Sequence, residues 1–447
     1  MNMRKQTWKA AVSAAAIAAG VLAANADTIT TNGVTWTYTV NDATAKTVTL
    51  GNGSAACIAT GTSVDAANIP WTFDIDGETY TVTALANNAF KDCSKLSGTL
   101  TIPDAVTSMG QRAFYGCPKL SRLASLGSIA HIRFEAFRGA YGMGSAGYPD
   151  MSNVQTISTN AFYWSNMSGM LRLDGLAGDM DSTGAFTEYD TNGGYLKNVI
   201  LSRNPFRMSG RNIFMNSVKL GSVFMPGPDS EGVSLITVCN TFYACTSLKV
   251  FLAGPRTGID TTDMPWRNMF TYGTKECRVF VPANNGAVSG VRNAASWDAY
   301  EGNDWAAGNT VLFYGPGREL DFAFDHDSKK ITATTTTAFA FTNVLAAVAT
   351  FKDVFGYSTK VSVANAIEVE SGTVTSEMAE GAIFGVTTQA ALNSVLAAVP
   401  SETPIYIDPA GARENLFVTT ENRTIWVLLP KDGTYKVRQG GLVIIVK

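Results

Sequence analysis

Ala89-Phe90-Lys91-Asp92-Cys93-Ser94-Lys95-Leu96 returns, 24 residues later, as Ala113-Phe114-Tyr115-Gly116-Cys117-Pro118-Lys119-Leu120. Shorter echoes follow at Ala136-Phe137, Ala161-Phe162, Ala185-Phe186 and Ile213-Phe214, then at Thr241-Phe242 with Cys245 and Leu248, and last at Met269-Phe270. The eight phenylalanines are spaced 24, 23, 25, 24, 28, 28 and 28 residues apart. Other positions keep step with them. An aliphatic residue or Met lies five before the Phe in the first four units (Leu85, Met109, Ile132, Ile157) and six before it in the last four (Met180, Met208, Ile236, Met264). Asparagine lies two before it in five units, as Asn88, Asn160, Asn212, Asn240 and Asn268.

A unit of this length cannot bury its own apolar face, but stacked on its neighbours it builds a continuous core. The eight phenylalanines are therefore expected in one buried column, at about the 4.8 Å spacing of adjacent strands. Asparagine at a repeated turn fits a left-handed backbone and can bond the turn above through its amide. Between the phenylalanines run short apolar stretches: Leu100-Thr101-Ile102-Pro103, Leu171-Arg172-Leu173, Val199-Ile200-Leu201, Val223-Phe224-Met225-Pro226, Val250-Phe251-Leu252 and Val279-Phe280-Val281-Pro282. Apolar residues at i and i+2 mark strands with one buried face, and proline ends them because it cannot donate to the ladder.

These units resemble the BspA-type leucine-rich repeats of bacterial surface proteins, whose pattern runs Leu-x-x-Ile-x-Ile-Pro, Val-Thr-x-Ile, Ala-Phe-x-x-Cys. Leu100-Thr101-Ile102-Pro103, Val106-Thr107-Ser108-Met109, Ala113-Phe114 and Cys117 carry the likeness, which extends over about residues 69–316. Trp297-Asp298-Ala299-Tyr300 and Val311-Leu312-Phe313 are similar to the cap that closes such arrays. The resemblance implies extracellular adhesion or ligand binding on a leucine-rich-repeat solenoid, with no catalytic residues to carry over. Segments near 141–152 and 187–195 break the regular spacing.

Outward from the array, residues 1–26 read as a signal peptide: Arg4, Lys5 and Lys9, then a small-residue apolar stretch, then Ala24-Asn25-Ala26 before Asp27. Removing it takes the formal net charge from −3 to −6. No Lys/Arg run is then left to track a phosphate backbone, which argues against nucleic acid. No stretch approaches the ~18 apolar residues of a membrane helix. Residues 27–68 read as a small N-terminal β cap, with Val34 to Val40 alternating as a strand. Phe73 to Tyr80 reads as a hairpin into the array. Gly315-Pro316-Gly317 ends the repeats. Residues 317–447 read as a β-rich α+β domain. In it, Leu320, Phe322 and Phe324 alternate with polar or small residues, Val344–Val348 and Val395–Val399 look like short helices, and a Pro-Lys-Asp-Gly turn joins Thr424–Leu429 to Thr434–Val437 as a hairpin. The fold class is thus mainly β with some α.

Little here suggests catalysis. His131 and His326 are the two histidines, and neither has another nearby in sequence, so His-rich metal motifs are absent. There is no G-x-S-x-G elbow and no P-loop. Asp179 and Asp181 read as a solvated turn rather than an acid/base pair. The reading therefore has no catalytic residue, no metal and no cofactor. Cys93, Cys117 and Cys245 occupy the repeat's cysteine position and read as small buried thiols; Cys57, Cys239 and Cys277 leave a disulfide open.

Strand alternation makes Val223 and Met225, Val250 and Leu252, and Val279 and Val281 core positions. Phe224, Phe251 and Phe280 then point outward with Ile200 beside them, as an aromatic ladder. That ladder is either a partner-binding site or the seat of residues 317–447 folded back over it. The functional expectation is an exported bacterial protein at the cell surface or outside the cell, with a non-catalytic binding or adhesion surface for an extracellular protein or glycan. The alternatives are a structural envelope protein or spacer and, third, a polysaccharide-active enzyme. The outward positions Thr101, Arg172, Ile200, Phe224, Phe251 and Phe280 offer no carboxylate for the enzyme reading.

Overall fold

The computed structural model describes residues 26–363 apart from 189–194, 263–267, 271–275, 284–287, 289–290 and 302–303, and beyond 363 the backbone of the strands alone. Leader residues 1–25 lie outside the described residues.

The backbone sets the stack. Each column Phe donates its N–H to the carbonyl of the residue just before the next column Phe: Phe90 to Ala113 at 2.6 Å, Phe114 to Ala136, Phe137 to Ala161 and Phe162 to Ala185 at 2.8 Å, and so on to Phe242 and Met269 at 2.9 Å. All eight rings are buried. Successive centroids lie 5.0–5.6 Å apart, with ring planes within 19° of each other. The residue two before the Phe is left-handed at Asn88, Arg112, Glu135, Asn160, Gly184, Asn212 and Asn240. Asparagine tolerates that conformation best among residues with a side chain, and Asn88 Nδ2 bonds Gly53 O at 3.1 Å. Where Arg112 and Glu135 replace it, they pair with each other at 2.6 Å, and Arg138 also binds the buried Glu135 carboxylate. Tryptophans close both ends: Trp36 packs edge-on to Phe90 at 6.3 Å, and Trp305 lies 6.1 Å from Phe270.

Each coil but the third, whose corresponding segment is the turn Tyr141–Ser145, also gives a strand to each of two ladders. One runs from Leu96–Ile102 and Lys119–Leu126 to a parallel sheet of Gly169–Arg172, Leu196–Ile200, Ser222–Met225, Val250–Ala253, Arg278–Pro282 and Thr310–Tyr314. The other holds the aliphatic positions, pairing Leu85 with Met109, Ile132 with Ile157, and Met180 with Met208, then Ile236, then Ile259. Its strands are two residues long at Ser108–Met109, His131–Ile132 and Thr156–Ile157. They are four long at Gly178–Asp181, Phe206–Ser209, Ser234–Thr237 and Thr257–Asp260. The longer strands account for the change of phase at Met180 and accompany the longer period. The pairing runs on to Ile259, and Met264 lies outside the described residues.

The register differs from expectation in one strand. Val223 pairs with Phe251 and Phe251 with Val279, so Phe251 faces the core while Val250 and Leu252 face outward. A one-residue slip turns every side chain over. Phe251 packs edge-on to Phe242, Phe270 and Trp297 at 5.7–6.1 Å, which a Val at that position could not do. Phe224, Phe280 and Ile200 do point outward, but they are buried rather than open. Leu320–Asp325, Lys330–Thr335, the helix Ala338–Asp353 and Ser358–Val363 form a β-β-α-β layer over them. Phe224 meets Phe355 at 5.0 Å, and Phe280 meets Phe322 at 5.7 Å and Phe351 at 5.8 Å. The outward ladder is therefore an intramolecular interface.

At the N-terminus, Asp27–Thr31, Val34–Asp42 and Thr47–Leu50 form an antiparallel meander that joins the array through Glu78–Leu85. Asp76 and Gly77, both left-handed, make the hairpin turn from Thr72–Ile75 into that strand. Val344–Val348 lies in the helix, and Val395–Val399 is outside the described residues. The hairpin expected between Thr424–Leu429 and Thr434–Val437 does not form. Arg423–Leu429 already pairs with Glu414–Thr420 on one edge and Ile405–Ile407 on the other, and Tyr435–Gln439 pairs with Leu442–Val446.

All six cysteines are buried as thiols. Cys117 Sγ donates to Phe90 O at 3.0 Å and Cys245 Sγ to Phe214 O at 3.1 Å, each one coil back. The repeat's cysteine is thus a small core residue that also satisfies a carbonyl.

The column makes each ring costly to lose. Phe114→Ala and Phe137→Ala are each expected to lower unfolding free energy by about 3–5 kcal/mol in denaturant titrations, while Tyr141→Ala, on the surface, should stay within about 0.5 kcal/mol. Losses below about 1 kcal/mol at both phenylalanines would contradict the column's role.

Candidate functional site

The chemistry-bearing residues singled out in the sequence do not assemble. His131 is exposed and shares a 2.9 Å hydrogen bond with Thr156 Oγ1, whereas His326 is bonded to Tyr357 OH at 2.7 Å. No cluster of three metal-ligating side chains occurs among the described residues. Asp181 is exposed and accepts from the N–H and hydroxyl of Thr183 in a local turn. Burial, with Asp92 nearby, pushes the Cys93 thiol up to about 12, far from a reactive thiolate. Buried Asp260 takes a bidentate bond from Arg207 at 2.7 and 3.0 Å, a brace across the second ladder.

What does come together is the first segment that breaks the repeat and Tyr195, at the end of the second. The first insertion turns through Tyr141–Ser145. Gly142 lets it press onto the second coil, since a Cβ there would lie 2.3 Å from Pro118 O. Buried Met143 anchors it, and it ends by bonding strand Gly169–Arg172 through Ser168 N–H to Ala146 O at 2.9 Å. The second insertion delivers Tyr195, whose carbonyl accepts from Gly169 N–H at 3.0 Å. Between them lies an open groove of about 460 Å³. Tyr141, 45% exposed, and Tyr195, 36% exposed, are among its walls. Gly142, Gly144 and Gly169 line it with backbone alone, and Asn166, Ser168, Lys197 and Lys219 supply its polar groups. Lys219 Nζ sits 4.5 Å from the Tyr195 ring centroid, and Tyr141 rests on Trp164 at 5.3 Å. Asn166 Oδ1 has no hydrogen-bond partner among the described residues.

On the turn side, the residues just after the column phenylalanines alternate cation and ring. Lys91 lies 5.9 Å from the Tyr115 ring, and Arg138 stands between Tyr115 at 5.7 Å and Tyr163 at 5.0 Å. Such contacts add roughly 0.5–1 kcal/mol each at exposed sites and hold these side chains in fixed rows.

The sequence marked both insertions only as irregularities. Tyr141 and Tyr195 belong to no repeat position, so no periodicity points to them.

Behind the groove, Glu188 is 2% exposed and its Oε2 has no partner among the described residues. Burial pushes its carboxyl up to about 8, although the Asn166 backbone N–H bonded to it pulls the other way. Folded Glu188 is therefore protonated at neutral pH, whereas the unfolded chain ionises near its ordinary value of 4.5. Between those values the folded state binds more protons, so stability falls as pH rises, by at most about 1.4 kcal/mol per unit from this group. Denaturation at pH 5 to 8 should show this slope, and Glu188→Gln should flatten it and raise stability at pH 7.5. An unchanged slope in Glu188→Gln would exclude the buried carboxyl as its source.

Residues 75–172 match the BspA type leucine rich repeat region, in six copies. No curated protein matches the chain. Among solved structures, a leucine-rich repeat protein from Bacteroides ovatus is 18% identical, with 59% of this chain and 64% of that one covered and a TM-score of 0.31. The T. pallidum leucine rich repeat protein is 22% identical over 49% of this chain and 78% of that one, with a TM-score of 0.29. A leucine rich cell surface protein from Faecalibacterium prausnitzii is 15% identical over 58% and 90%, with a TM-score of 0.22. The chain thus spans just under two thirds of the first of these structures. With the coil geometry above and the six-copy match, residues 75–172 belong to the BspA-type leucine-rich repeats.

Proposed function

We propose that this is an exported bacterial surface protein whose solenoid is a non-catalytic binding module for an extracellular protein or glycan. The observation that carries the reading is the meeting of Tyr141, from the first repeat-breaking insertion, and Tyr195, at the end of the second, on one open groove. A stacked array is a stiff support, and a groove whose walls are anchored to it loses little freedom on binding. Among the described residues the groove is lined by amide, hydroxyl, ammonium and phenol groups rather than by the carboxylate pair that glycoside cleavage ordinarily uses. Export rests on the basic, apolar and Ala-Asn-Ala succession of residues 4–26.

Two measurements test it. Exported protein should begin at Asp27 by N-terminal sequencing, and Met1 at that end would refute the leader. The chain from Asp27 to Lys447, immobilised and exposed to panels of extracellular-matrix proteins and glycans, should bind at least one saturably without degrading it. Absence of any saturable ligand, or turnover of a glycan, would overturn the binding-module reading.

A further inference from the structure

The groove between the insertions has a lining specific enough to name a class of ligand. We infer that it binds an acidic saccharide, a chain bearing carboxylated sugar rings, and this rests on the binding-module reading above. Four features point the same way. Tyr141 and Tyr195 expose ring surface at the groove, the surface against which the C–H face of a pyranose packs. Gly142, Gly144 and Gly169 leave it without projecting side chains, so a flat ring can approach the backbone. Asn166 and Ser168 place an amide and a hydroxyl in the lining, groups that hydrogen-bond the hydroxyls of a sugar. Lys197 and Lys219 are exposed and, among the described residues, are the only charged side chains in the lining, on a chain whose formal net charge is −3. That local excess of positive charge selects an anion.

The lining argues against a protein partner. Protein hot spots centre on large apolar anchors in fully desolvated pockets, whereas this groove is open and its surface is glycine, amide, hydroxyl, ammonium and two phenols. Lys219 already lies over the Tyr195 ring, so cation and stacking surface are held together before a ligand arrives. A sugar stacked on Tyr195 places its carboxylate within reach of an ammonium that need not be recruited from solvent. The geometry asks for no bond making or breaking.

The test uses the chain from Asp27 to Lys447 and isothermal titration calorimetry with oligogalacturonate, its carboxyl-reduced neutral counterpart, and an acidic peptide of matched charge. Oligogalacturonate should bind saturably, and more weakly as NaCl rises from about 50 to about 500 mM. The neutral oligomer should bind about tenfold or more weaker, as should the acidic oligomer to Tyr195→Ala and to the Lys197→Gln/Lys219→Gln double variant. All these side chains are exposed, so the variants should keep the wild-type unfolding midpoint, which circular dichroism checks. Equal binding of the neutral oligomer, preference for the acidic peptide, or wild-type affinity in folded variants would each overturn the acidic-saccharide site while leaving the binding module standing. If oligogalacturonate does not bind while another panel member does, the groove assignment alone falls; if nothing in either experiment binds, both fall.

Discussion

Every coil hangs from one backbone hydrogen bond, the one that a column phenylalanine donates to the residue before the next column phenylalanine. It fixes the advance per coil, and the rings follow at 5.0–5.6 Å. It also explains the residues around it. The acceptor must bring its backbone close, so it is alanine in the first four of these bonds, at Ala113, Ala136, Ala161 and Ala185; the 28-residue coils tolerate Ile213, Thr241 and Met269 there. The turn that presents the donor needs a left-handed residue two positions earlier, hence the asparagines. Open-ended, such a column would expose a ring at each end. Trp36 and Trp305 supply the covers, and Trp297 packs at a tilt against Trp305 at 5.5 Å.

What could be read from sequence divides along this line. Anything imposed coil by coil was legible: the column, the asparagine turns, the strands of the first ladder and the in-step aliphatic positions of the second. Their constraint repeats, so weak signals add. The misses lie where the constraint is not repeated. Val-Phe-x at 250 looks like Val-Phe-x at 223 and 279, which hides a slip of one residue. Counting from the column would have shown it, because the inward residues Val223, Phe251 and Val279 each lie nine after Phe214, Phe242 and Phe270. The Pro-Lys-Asp-Gly turn is a sound local signal, but Arg423–Leu429 is committed on both edges to other strands. Local turn chemistry cannot report that.

The outward face of the long sheet has a gradient that separates cover from open surface. Its outward residues are polar at the start, Thr101 and Arg172, both exposed. They become apolar at Ile200, Phe224, Leu252, Phe280 and Leu312, all buried beneath residues 320–361. An aromatic run on a solenoid face therefore carries two messages that sequence alone does not distinguish, a partner's seat and a domain's seat. The deciding fact is whether the same chain supplies a complementary apolar layer, as Phe322, Phe351 and Phe355 do here.

A repeating core leaves function to whatever escapes the repeat, and Tyr141 and Tyr195 show how side chains outside the repeat are held. Tyr195 is outward while Leu196, the next residue, is fully buried and paired in the sheet. Tyr141 is outward while Met143, two residues on in a tight turn, is fully buried. Each exposed ring is thus held by a core anchor one or two residues away, and neither needs a neighbouring exposed residue to fix its direction. A side chain so placed has already lost much of the freedom that binding would otherwise cost. The same anchors explain why the groove forms where it does. The insertions follow the third and fifth column phenylalanines, and both reach the fourth coil's strand, the first through Ser168 and the second through Gly169. Ser168 and Gly169, adjacent in the chain, thereby set the spacing of Ala146 and Tyr195, about fifty residues apart in sequence, through backbone donors that the chain is obliged to satisfy.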